Sequence, residues 1–170
     1  MSLSIRDLSI RQINMSIFAV CVCLMLAAAY MEHVMQMVPC SLCITQRGFI
    51  VLTGIIALIA ALHNPRHGGH RVYATMGIIS AILGACFAGR QLWLQSLPAD
   101  QVPACGPGLA YMFEAFPLLD AVKLLLQGDG NCAQVDKIFG LSIALWTFMA
   151  FIALGVVNLY QAVRKGAQNS

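Results

Sequence analysis

Four apolar runs decide what this chain can fold into: Ile13–Met31, Ile44–Leu62, Val72–Ala88 and Leu141–Tyr160, each 17 to 20 residues long with no charge in its middle. About 20 residues at 1.5 Å rise per residue cross a hydrocarbon layer of about 30 Å. A soluble core has little use for four such runs in 170 residues, of which 59% are apolar and only 10% charged, against about 25% charged in soluble domains. The expected fold is an all-α membrane protein, a four-transmembrane-helix bundle that makes residues 1–170 one integral membrane domain. Arg6, Arg11 and the stretch Ala27-Ala28-Ala29 give the first run some likeness to a signal peptide. Its apolar stretch is longer than a signal core, so an uncleaved helix is expected.

Lysine and arginine near the helix ends set the orientation. Arg6, Arg11, Arg66, Arg71, Arg164 and Lys165 fall on one side, and six of the seven acids fall on the other. Both termini and the turn "HNPRHGGHR" are therefore expected in the cytoplasm, with outward loops at about residues 32–43 and 91–140. The basic residues are few, dispersed and at helix ends, which argues against a nucleic-acid partner and leaves the lipid bilayer as the surroundings. His63, His67 and His70 are read as a solvated loop. In the long outer loop, "PGLAYMFEAFPLLDAVKLLLQGDG" is too short and too interrupted to span, and it predicts a short helix lying in the membrane surface. Gly77, Ala81, Ala85 and Gly89 recur every four residues and predict a close helix–helix contact.

Three of the seven cysteines, Cys21, Cys23 and Cys86, lie inside apolar runs, where a thiol behaves as a small hydrophobe. The other four, Cys40, Cys43, Cys105 and Cys132, lie on the outward side, two in each outer segment. An even count in an oxidising compartment suggests two disulfides, with three connectivities open. For the pair in "VPCSLCITQRG", c-type haem fails because Ile44 stands where histidine is needed. A four-cysteine zinc site would need Cys105 and Cys132 closer in sequence, so no metal is expected. A thioredoxin domain would need strands alternating with helices, and none are indicated.

As a plain staple, a Cys105–Cys132 bridge would contribute roughly 3.5 kcal/mol through loop closure, but a Cys40–Cys43 ring only about 2 kcal/mol before strain. Its position favours reactivity instead. Cys40 and Cys43 open the second helix after Pro39, where the positive end of the helix dipole favours a thiolate. Arg47 stands one turn beyond Cys43; its permanent charge suits an anion or a carbonyl oxygen, although an arginine here could also simply snorkel to the headgroups.

The stretches "PCSLCITQR", "CFAGRQLWLQ", "PACGPGLAYMFEAFPL" and "GDGNCAQVD", with the cysteine order 40, 43, 105, 132, resemble the disulfide-bond-formation protein B (DsbB) family. These are quinone-linked thiol oxidases of the bacterial inner membrane. The resemblance implies an enzyme, a protein-disulfide-generating thiol:quinone oxidoreductase, with Cys40, Cys43, Cys105 and Cys132 as its catalytic residues. It implies Arg47 at the binding site of ubiquinone or another membrane quinone, and as partners a DsbA-like periplasmic thiol oxidase and the membrane quinone pool. In the implied sequence the partner attacks Cys105, Cys132 then attacks Cys40, and Cys43 passes electrons on. Because DsbA is itself oxidising, at about −120 mV, disulfides of the structural kind below about −300 mV could not accept its electrons. Two stretches differ from what the resemblance implies: "RQLWLQ" lacks the histidine that some relatives have soon after helix three, and Ile143 and Ala144 stand where many relatives have proline. The rival readings are a disulfide-stapled membrane scaffold without turnover, and a quinone-linked thiol reductase of the vitamin-K-epoxide-reductase type.

Overall fold

A computed structural model describes residues 9–65, 69–98, 101, 117, 119–120, 130–133, 135, 137–138 and 140–164. Helix α1 runs Ile10–His33, α2 Ser41–His63, α3 Gly69–Ser96 and α4 Ile143–Val163. All four are long and apolar enough to cross a membrane. Successive helices reverse direction, so both ends of the described chain and the α2–α3 turn meet at one end of the bundle. Cys40 and Cys43 lie at the other. Large side chains such as Leu26, Leu62, Val72, Ile79, Ile82 and Val156 are exposed on the outer faces, as suits helices solvated by lipid.

Local chemistry explains where the helices begin. Ser9 and Gln12 form a reciprocal capping box at α1: Gln12 N donates to Ser9 Oγ at 3.2 Å and Ser9 N to Gln12 Oε1 at 2.9 Å. Cys40 itself caps α2, its sulfur accepting from Cys43 N at 3.4 Å. Ser142 caps α4 and accepts from Leu145 N at 3.2 Å. That hydroxyl satisfies the first turn with no proline at Ile143 or Ala144. Helix α4 therefore starts two residues later than its apolar run, because Leu141–Ser142 form strand β2, paired antiparallel with β1, Lys137–Ile138. Gly140, at φ +83°, makes the tight turn between them. Trp146 Nε1 donates to Ile138 O at 3.1 Å and ties this hairpin to α4.

Three features differ from the expectations. Helix α3 does not stop at Ala88 but continues to Ser96, so the outer segment begins later than residue 91. Its polar residues Arg90, Gln91 and Gln95 end the apolar run but not the helix, since Gln91 points inward and is buried. His70 is no solvated loop residue: it is in the first turn of α3, buried, with Nε2 lacking a hydrogen-bond partner among the described residues. His63 pairs with the Tyr73 hydroxyl at 2.8 Å. Finally, the close helix contact runs along Gly77, Ala81, Gly84 and Ala88, all buried, whereas Ala85 and Gly89 are only half-buried. A Cβ on Gly77 would overlap the Asn158 amide and one on Gly84 the Phe151 ring, so α3 and α4 pack through these glycines.

The core joins Ile13, Ile17 and Cys21 of α1, Ile50 and Ala57 of α2, Ala81 and Ala88 of α3, and Phe151 and Leu154 of α4. Cys21 is thus a packing residue, while Cys23 and Cys86 face outward. Between α2 and α3, Thr53 Oγ1 and Ser80 Oγ share a hydrogen bond of 2.9 Å, and Thr53 also donates to Phe49 O at 2.8 Å. Helix α1 packs on α2, α2 on α3 and α3 on α4, but α1 and α4 scarcely touch.

Candidate active site

Where α1 and α4 stand apart, at the cysteine end, lies a cavity of about 600 Å³. Its walls are apolar: Leu24, Ala27, Ala28 and Met31 from α1, Ile50 from α2, and Ile143, Trp146, Met149 and Ala150 from α4. Its polar lining is Glu32 from α1, Cys43, Gln46 and Arg47 from α2, Gln91 and Gln95 from α3, and Thr147 from α4. An apolar chamber with a few convergent polar groups is the ordinary form of a small-molecule site. The lining suits a flat ring bearing carbonyl oxygens: the Arg47 guanidinium for an oxygen, alkyl and indole surface for the ring and any tail.

Of the residues expected at a site, the first turns of α2 bring Cys43 and Arg47 to one wall of this cavity. Cys40 is buried just behind, its sulfur 2.8 Å from that of Cys43. Cys132 arrives from far along the chain. It sits in a 3₁₀ turn, Gly130–Ala133, completely buried, with its sulfur 3.4 Å from Ser41 Oγ. Cys40, Leu42, Leu94 and Cys132 form one small packed cluster. Cys105 lies outside the described residues, as does most of the segment expected to form a surface helix; of that segment Leu119 and Asp120 are helical and exposed.

Electrostatics separate the two cysteines in a way that helix position did not suggest. Hydrogen bonds with Cys132 and then Cys43, followed by burial and the neighbouring sulfurs' charge, push the Cys40 thiol well above the usual cysteine range. The favourable end of the helix dipole loses to these nearer groups at Cys40. Arg47 is also not a lone cation: Nη1 pairs with Glu32 Oε2 of α1, and Nη2 donates to Ala28 O at 3.4 Å. The ion pair fixes the guanidinium at the cavity wall. Glu32, Gln46 and Gln91 escaped the sequence reading. Gln46 had a visible cue, one helical turn beyond Cys43 on the same face; Glu32 and Gln91 are brought in only by tertiary packing.

The profile of the family described as "Disulfide bond formation protein DsbB" matches residues 10–161 of this chain. The chain belongs to the DsbB family. Its relatives include proteins named Disulfide bond formation protein B from Saccharophagus degradans, 57% identical over 158 residues (92% of this chain and 95% of the relative), and from Nitrosococcus oceani, 45% identical over 160 residues (94% and 95%). Another, Disulfide bond formation protein B 1 of Pseudomonas aeruginosa, is 40% identical over 156 residues (91% and 96%). The described part of this DsbB-family member is thus a multi-pass membrane bundle, and its family is one of disulfide bond formation.

Proposed function

We propose that this chain is a thiol:quinone oxidoreductase of the bacterial inner membrane, which reoxidises a DsbA-like periplasmic dithiol and passes the electrons to ubiquinone or another membrane quinone. The observation that carries this reading is the cavity itself: one wall joins Cys43 to Arg47, while Cys40 and Cys132 lie directly behind it. A thiol relay and a small-molecule chamber share one sulfur.

When bound, a quinone supplies an acceptor for two electrons and two protons. The protein's own part is thiol exchange. A thiolate of the partner attacks Cys105, forms a mixed disulfide and releases Cys132 as thiolate. Cys132 attacks Cys40, whose bond to Cys43 breaks, leaving the electron pair on Cys43. The partner's second thiol closes its own disulfide and frees Cys105, which then attacks Cys132, restores that bridge and releases Cys40. Arg47, held by Glu32, is the residue that would hold a quinone carbonyl oxygen by hydrogen bond. Re-forming the Cys40–Cys43 bond releases two electrons, which a quinone bound there would take up. The resting protein at the end has both disulfides. Basic residues at the termini and the α2–α3 turn, against acids near the cysteines, support cytoplasmic termini and periplasmic thiols.

The test mixes purified protein with a reduced DsbA-like dithiol protein and a soluble quinone and follows quinone absorbance. Quinone should be consumed, and Cys40→Ser and Cys43→Ser should abolish turnover. Absence of consumption, or normal turnover by either variant, overturns the proposal and leaves the stapled scaffold.

A further inference from the structure

Two glutamines have no part in the scheme above. Gln46 of α2 and Gln91 of α3 are 3% and 4% exposed, at a depth where each amide must find partners within the protein. Gln46 Nε2 donates to Gln91 Oε1 at 2.8 Å. This bond occupies the Gln91 oxygen and turns the amide nitrogen the other way. That nitrogen donates to Cys43 Sγ at 3.3 Å and to Cys40 Sγ at 3.6 Å.

We infer that Gln91 is a catalytic residue that holds the Cys43 thiolate when the Cys40–Cys43 bond breaks, and that Gln46 is a positioning residue that aims it. The inference rests on the redox role proposed for Cys43. When an incoming thiolate bonds to Cys40 Sγ, the old sulfur–sulfur bond gives its electron pair to Cys43. A neutral sulfur is a weak acceptor and a thiolate a strong one. The amide contact therefore strengthens as charge develops, which is the condition for accelerating a step. The amide spans both sulfurs, so it stands in place before the bond breaks. It carries no proton that titrates, and its help is the same at every working pH.

Among the described residues, the titratable groups that face Cys43 are Cys40 ahead of α2, Cys132 from the 3₁₀ turn, Arg47 on α2 and Glu32 on α1. The side chains that α3 and α4 present to the cavity are amides, hydroxyl and apolar groups. A purely structural role, fastening α2 to α3, is already filled by the Thr53–Ser80 bond on the same two helices away from the sulfurs.

The experiment uses fully reduced, full-length protein in detergent without quinone. Iodoacetamide labelling of Cys43 is followed against pH by peptide mass mapping. Gln91→Met should move the Cys43 profile upward by about one pH unit or more. Gln46→Met, which keeps Gln91 but leaves it unaimed, should move it in the same direction by less. Thr53→Val, which also removes an α2–α3 hydrogen bond, should leave it in place. An unmoved profile in both glutamine variants overturns the inference. So does a downward shift, which would mean that the amide turns its oxygen toward sulfur. Failure of quinone reduction by the unaltered protein would sink the proposed function alone, since this labelling needs no turnover.

Discussion

The hydrogen bonds of Cys40 with Cys132 and Cys43, reinforced by burial, keep its thiol protonated where an ordinary cysteine, near 8.5, has ionised. The sign follows: a raised value means the neutral form persists to higher pH. In the reduced protein, Cys40 should resist alkylation at about pH 9 by this shift. Cys132→Ala, which deletes the largest cause, should bring its reaction to lower pH, as peptide mass mapping would read. A profile untouched by Cys132→Ala would remove that hydrogen bond as the cause. Arg47→Ala should chiefly raise the apparent KM for quinone, by about tenfold if one charge-assisted hydrogen bond is lost. Glu32→Gln should raise it less, because an amide oxygen still accepts from the guanidinium. Steady-state kinetics with a soluble quinone decide both, and an unchanged KM in Arg47→Ala takes it out of the site. Cys40, Cys43 and Arg47 were legible in the sequence because about one helix turn separates each from the next. Glu32 and Gln91 were not, since 15 residues separate Glu32 from Arg47 and 48 separate Gln91 from Cys43.

Among the elements, the apolar runs located all four helices but misjudged their ends. Hydropathy reports what a helix shows to lipid, and α3 turns polar where its inner face meets sulfurs and glutamines rather than lipid. Residues 91–96 therefore read as loop although the helix continues. The small-residue pattern was likewise visible, but its phase was not: the face packed on α4 passes through Gly84, which a strict four-residue spacing skips. Gly84→Ala should destabilise the protein by about 1–3 kcal/mol, since the new methyl meets the Phe151 ring. Gly89→Ala should be close to neutral, its Cβ meeting only Phe148 at 3.8 Å. Thermal unfolding in detergent separates the two. Adding Phe151→Leu should restore part of what Gly84→Ala loses, and no recovery would mean that the ring is not the obstacle.

For the whole molecule, the bundle and the position of Cys40 and Cys43 at one end followed from the order of apolar and polar segments. The burial of Cys132 against Cys40 did not, because it depends on where a long outer segment returns. Orientation is testable with fusions after the last helix: green fluorescent protein should be bright there and alkaline phosphatase inactive, and the reverse result would turn the bundle over. The gap between α1 and α4 has a consequence for how such a protein would be measured. If its acceptor comes in sideways through that gap, it arrives by two-dimensional diffusion from the lipid. Half-saturation then tracks the acceptor's mole fraction in the membrane or micelle. Doubling the detergent at fixed quinone should roughly double a KM expressed in bulk molarity, while the same constant expressed per detergent molecule stays put. The water around the protein would be a reservoir, and the bilayer the solvent that counts.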